Sequence, residues 1–147
     1  MAITQAMCTL FKKDLLLGDH HLDTDDIRIA LYTSSASLDA STDAYTTSNE
    51  ITNTSGSAYV AAGQQLTSVT VTENSTSGVF DAADPEWTSA TFTARGALIY
   101  NKTLYDSDNS RGAIAVLDFG GDFTVSGGTF KIVFPAATAS NAIVRID

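Results

Sequence analysis

From Tyr59 to the last residue, short apolar runs alternate with breakers, and this repeat limits the fold more than any other feature. The runs are Leu66 to Thr72, Ser77 to Ala83, Glu86 to Thr93, Ala94 to Asn101, Ala113 to Gly120, Thr129 to Pro135 and Asn141 to Asp147. Turn signals at a spacing of roughly 8–12 residues predict an all-β sandwich or barrel, not strands interleaved with helices. Pro85, the stretch from Asp106 to Arg111, Gly120–Gly121 and Gly127–Gly128 read as the turns. An earlier run, Ile27 to Thr33, alternates with Ile27, Ile29 and Leu31 on one face. The 20 Thr and 15 Ser residues agree with this pattern, because threonine suits a pleated, half-buried surface. The expected fold is therefore an antiparallel β-sandwich, jelly-roll or immunoglobulin-like, in a single domain of 147 residues.

Two segments break the pattern. Ile3, Met7, Leu10, Phe11 and Leu15 recur at helical spacing, which predicts an N-terminal helix over about 3–17. Thr4 is its expected cap, and Gly18 stands where a left-handed residue ends a helix. Residues 34–54 are rich in Ser, Thr and Asp, which predicts a long surface loop with one helical turn near Leu38 to Ala44. The helix residues Ile3, Met7 and Phe11, with Leu38 and Tyr45 of the loop, are the expected contact surface for another protein.

Charge narrows the function classes. Seventeen acids against eight bases give −9, and no Lys or Arg lies between Arg28 and Arg95. Nucleic-acid binding needs cations to displace phosphate counterions, so no nucleic-acid partner is expected. No run approaches the ~20 apolar residues of a membrane span, and the N-terminus lacks the pattern of a signal peptide. The expectation is a protein made in a cytoplasm, without a membrane partner. The lone Cys8 admits no internal disulfide and sits near the apolar stripe, where a small buried hydrophobe is expected.

Motifs for catalysis are missing: no nucleophile elbow, zinc-protease motif, phosphate-cradling glycine loop or paired-cysteine motif occurs. His20, His21 and Asp23 have ligand chemistry, but a solvated turn or helix cap accounts for them. Asp106, Asp108 and Ser110 have the opening spacing of a calcium loop, whereas its later positions hold Arg111 and Leu117 instead of Gly and Glu. A hairpin turn rich in Asp, Asn and Ser is the expected account of them. Asp81, Asp84 and Glu86 flank Trp87, an arrangement found at sugar sites, although a single Trp in a sandwich is expected to anchor the core. Arg95 interrupts an apolar strand and needs a partner; Asp118 or Asp122 can supply it across the sheet, with Asp118 as the expected structural ion pair. No catalytic residue, metal ligand or cofactor is expected.

Taken in order, FKKDLLLGDHHL, IALYTSSASL, the segment from Tyr45 to Glu50, ARGALIYN, AVLDFG, IVFP and AIVRI resemble the short virion structural proteins of tailed bacteriophages, marine and cyanobacterial phages among them. The resemblance spans nearly the whole chain and lies in the order of the segments, not in any one motif. It implies a non-enzymatic virion component, expected to be a capsid decoration (cement) protein bound to the major capsid protein. The alternatives are a tail or neck component, such as a tube, collar or fibre subunit, and a module binding host-surface glycans. A homo-oligomer, trimer or dimer, is expected.

Overall fold

The computed structural model describes residues 2–138 and 140–147. Ten elements follow in chain order: β1 (Ala6–Met7), α1 (Thr9–Leu16), β2 (Ile27–Tyr32), β3 (Gln64–Gln65), β4 (Thr70–Asn74), β5 (Ser77–Asp81), β6 (Glu86–Asn101), α2 (Lys102–Ser107), β7 (Ala113–Lys131) and β8 (Val144–Ile146). They form two antiparallel sheets, one ordered β1-β7-β6-β2-β3 and the other β4-β5-β8. The fold is thus mainly β, a sandwich with one short helix near the N-terminus.

The long strands correct the sequence reading. Glu86 to Thr93 and Ala94 to Asn101 are one 16-residue strand, and Ala113 to Lys131 is one 19-residue strand. Gly120–Gly121 and Gly127–Gly128 are not hairpin turns. They lie within β7, where its pairing with β6 slips. Gly120 and Gly127 take φ of +77° and +65°; the irregularity around Gly120 holds three extra residues of β7 and the bulge at Gly127 holds one, and neither ends the strand.

The N-terminal helix is shorter than expected. Its eight residues start after Cys8, which makes no side-chain cap, and Thr4 lies upstream of it. Ala6 and Met7 instead pair with Val116 and Ala115 of β7, and Ile3 bridges to Leu38. Pairing to a sheet edge has overridden the helical periodicity of residues 3–7. The other end is as expected: Gly18 has φ +79°, its N–H donates to Leu15 O, and Asp19 N–H donates to Asp14 O. These two bonds complete a Schellman ending.

The core centres on the half of β6 and β7 nearest the helices. Ala97, Leu98, Ile99 and Tyr100 of β6 and Ala113 to Val116 of β7 are buried, as is nearly all of β2. Both faces of the sheet are covered here, which explains continuous apolar runs instead of alternation. Tyr100 and Asn101 point to opposite faces. Residues 33–63 cover the first, with Tyr45 stacked 4.8 Å from Tyr100. On the second, Asn101 meets His20, whose ring packs edge-on against Phe11 of α1 at 4.8 Å. Phe80, Ala82, Phe134 and Val144 join the small sheet to the same cluster.

Candidate functional site

Three places concentrate unusual chemistry. The first is a buried carboxylate. Residues 34–54 form no strand or helix beyond single bridges and turns at Thr33–Ala36, Asp39–Thr42 and Thr47–Glu50, yet Ala36, Leu38, Glu50 and Ile51 are buried. Asn49 takes φ +61°, a conformation asparagine tolerates, and turns Glu50 inward. Glu50 accepts from Tyr45 Oη at 2.6 Å, Tyr59 Oη at 2.5 Å and Ala62 N at 2.8 Å. Leu31 N donates to Tyr59 Oη at 3.0 Å, and Tyr32 and Tyr100 donate to Thr46 O and Ala62 O. Burial first, then Glu50, drives the Tyr59 and Tyr45 phenols well above their ordinary range. Three donors neutralise much of the cost of burying the carboxylate. The network staples the long loop to β2 and β6 and leaves Glu50 no free oxygen toward solvent.

A second network lies behind α1. Arg111 Nη2 contacts Asp14 Oδ2 at 3.1 Å and Asp19 Oδ2 at 2.5 Å, tying the helix end to the start of β7. Asn101 caps α2 by accepting from Leu104 N. Its amide donates to Asp25 Oδ2 at 2.6 Å and lies 3.2 Å from His20 Nδ1. Burial pushes the His20 pKa down; Arg111 acts in the same direction, while Asp14, Asp25 and Asp19 oppose it. His20 is therefore a neutral core residue, and His21 beside it is exposed. Among the described residues no three His, Cys, Asp or Glu side chains are grouped to hold a metal.

The third place is an apolar groove of about 460 Å³ along the far half of β7, lined by Phe119, Phe123, Val125, Phe130, Ile132 and Val133. Phe123 is 53% exposed and Val133 73%. Here β6 and β7 continue past the other strands as a two-stranded ribbon. Trp87, Ala90, Phe92 and Ala94 of β6 are buried, while their partners on β7 stay partly open.

The other expected residues find structural places. Ile3, Phe11 and Leu38 are buried in the chain's own core, and Met7 and Tyr45 pack against it, so this set is no open contact surface. The residues of that neighbourhood that do face solvent are Leu16, 90% exposed, and Leu17 at the helix end. Arg95 pairs with Asp122 at 2.8 Å, not with Asp118, because β7 bulges between Asp118 and Phe123 and swings Asp122 opposite Arg95. The pair is half-exposed, so it is no buried charge. Trp87 is buried against Tyr59, Phe92 and Phe130 and offers no sugar platform. Near it Asp84 accepts from Phe134 N, while Glu86 is exposed. Asp106 belongs to α2 and pairs with Lys102, whereas Asp108 bonds Ser110 in the following turn. Cys8 is fully buried, and burial lifts its pKa to about 12, far from a reactive thiol.

Sequence reasoning missed the Tyr59–Glu50 pairing and the β7 groove. Glu50 carried one signal, the single Glu of the stretch from 34 to 54, set directly before the apolar Ile51. The groove carried another, three phenylalanines at 119, 123 and 130 flanking the glycine pairs. No protein family, curated protein or solved structure matches the chain.

Proposed function

We propose that the chain is a non-enzymatic structural component of a tailed phage virion, and that its place is on the outside of the capsid as a decoration protein. The observation that carries this reading is where the resembling segments fall. FKKDLLLGDHHL builds α1, its Schellman ending and His20. IALY is β2, the Tyr45 to Glu50 stretch supplies the carboxylate staple, and ARGALIYN and AVLDFG are the central strands. IVFP and AIVRI lead into and form the last strand of the small sheet. The resemblance thus follows the rigid framework and not a cleft. Its ionisable groups are spent on framework as well: Glu50 on tyrosines, Asp14 and Asp19 on Arg111, Asp25 on Asn101. A particle component needs such a framework, since its work is to hold a surface in place.

Binding would be physical. Each copy contributes a modest free energy to the shell, and many copies add. The test is mass spectrometry and gold-labelled electron microscopy of purified particles. The expected result is the chain present in finished virions with label over the head. Label confined to neck or tail would move it to a tube, collar or fibre subunit. Absence from finished particles would refute the virion reading.

A further inference from the structure

The far half of β7 is a sheet edge with no strand paired on its outer side among the described residues. β1 pairs with β7 only at Ala115 and Val116; beyond these, among the described residues, β6 is its one strand neighbour. Natural edges are guarded by charge, proline, bulges or short length, because unpaired backbone groups recruit other strands; this edge has bulges at Gly120 and Gly127. The eight residues from Phe123 to Phe130 contain neither charge nor proline. Beside them runs the groove of Phe119, Phe123, Val125, Phe130 and Val133. Backbone valence and apolar surface are offered together, which is what strand addition requires.

The sequence of this edge fits itself. Read against a reversed copy, Asp122 falls opposite Lys131, Phe123 opposite Phe130, Thr124 opposite Thr129 and Val125 opposite Gly128. Strict alternation would put such partners on opposite faces. The bulge removes that conflict: β6 residues Ala90 and Thr91 are consecutive, yet they pair with Gly128 and Ser126, so Gly127 is extra. Phe123, Val125, Gly128 and Phe130 therefore all lie opposite the buried Ala94, Phe92, Ala90 and Trp87 on one face. In a chain of net charge −9, two copies repel over most approaches. This edge is bounded by one acid, Asp122, which also pairs with Arg95, and one base, Lys131, whose ammonium lies 3.9 Å from Asp84; a two-fold axis brings this acid and base together twice.

We propose that a second copy of the chain adds here, β7 against β7 antiparallel, about a two-fold axis between Ser126 and Gly127. The two large sheets become one, each groove is closed by the other copy's phenylalanines, and the interface is isologous. The inference stands independently of the virion reading, since it concerns the purified chain alone.

Sedimentation equilibrium of the full chain and its charge reversals tests it, with circular dichroism confirming that each variant is folded. The wild type is expected to be a dimer. Asp122→Lys and Lys131→Asp each place like charges opposite at both symmetric positions, and each is expected to raise the dissociation constant about tenfold or more. Mixing the two variants restores complementarity and recovers a heterodimer. Phe123→Ser, at a half-exposed position, weakens association without unfolding. A monomeric wild type would overturn the proposal and leave the groove to a different partner. A trimer, or a dimer indifferent to the reversals and their mixing, would overturn it too, because the contact would then lie elsewhere.

Discussion

The two halves of the β6–β7 pair share one backbone arrangement and differ in what lies beside them. In the near half, Gly96 to Asn101 against Ala113 to Asp118, β2 flanks one side and β1 part of the other, and the residue 33–63 segment and α1 cover the faces. In the far half, Glu86 to Ala94 against Phe123 to Lys131, β6 is covered and β7 is not. The residues show the same division. The near half is mostly Ala, Ile, Leu and Val with no alternation, and the far half intersperses Thr and Ser with Trp87, Phe92, Phe123 and Phe130. One strand pair thus serves as the centre of a core and as an edge left open to solvent, and the change occurs at the bulge between Asp118 and Phe123.

The sharpest way to break this contrast is to truncate one residue in each half. Leu98→Ala removes a fully buried side chain and is expected to cost about 2–5 kcal/mol in urea unfolding. Phe123→Ala, half-exposed, should cost less than about 1 kcal/mol in the isolated chain. Equal losses would mean that the far half is as enclosed as the near one.

How much of this could be read beforehand follows from what local patterns encode. The sandwich class, the buried character of Ala94 to Asn101 and the left-handed Gly18 were legible, since each rests on residues close in sequence; the pairing of Arg95 was expected from burial of charge and with Asp118, whereas the pair is half-exposed and its acid is Asp122. The single long strands were not: Gly120–Gly121 and Gly127–Gly128 have the composition of turns, and only their register against β6 makes them bulges. The helical stripe of Ile3 and Met7 misled because it cannot reveal that β7 offers an edge to Ala6 and Met7. The loop of residues 34–54 looked solvated because its buried apolar residues, Ala36, Leu38 and Ile51, are few and scattered, and its polar anchor is an acid whose tyrosine partner at 59 lies outside the loop.

Second in size is Glu50, which fastens that loop over the near half. Glu50→Gln turns an acceptor with three donors into a group that also donates, with an expected loss of about 1–3 kcal/mol and a rise in protease sensitivity of residues 34–63. A smaller effect is pH-dependent. His20 has a folded pKa below 6.5, so the unfolded chain binds its proton first; the His20 contribution is fully present above about 6.5 and is lost as pH falls through that value toward the folded pKa. The melting temperature of the wild type should drop more steeply over that interval than that of His20→Gln. Least of all is Arg95→Ala: its pair with Asp122 is half-exposed at the junction of the two halves, and its loss should cost below about 1 kcal/mol.

Residue-resolved amide hydrogen exchange along β7, recorded at low and high protein concentration, tests the division most directly. The amides of Ala113 to Val116 should exchange only through global unfolding and stay the most protected of the strand in both samples. Those of Phe123 to Phe130 that face away from β6 should exchange faster when dilute and slow as concentration rises. Uniform protection along the whole strand at both concentrations would contradict the account, because β7 would then have no open half to offer.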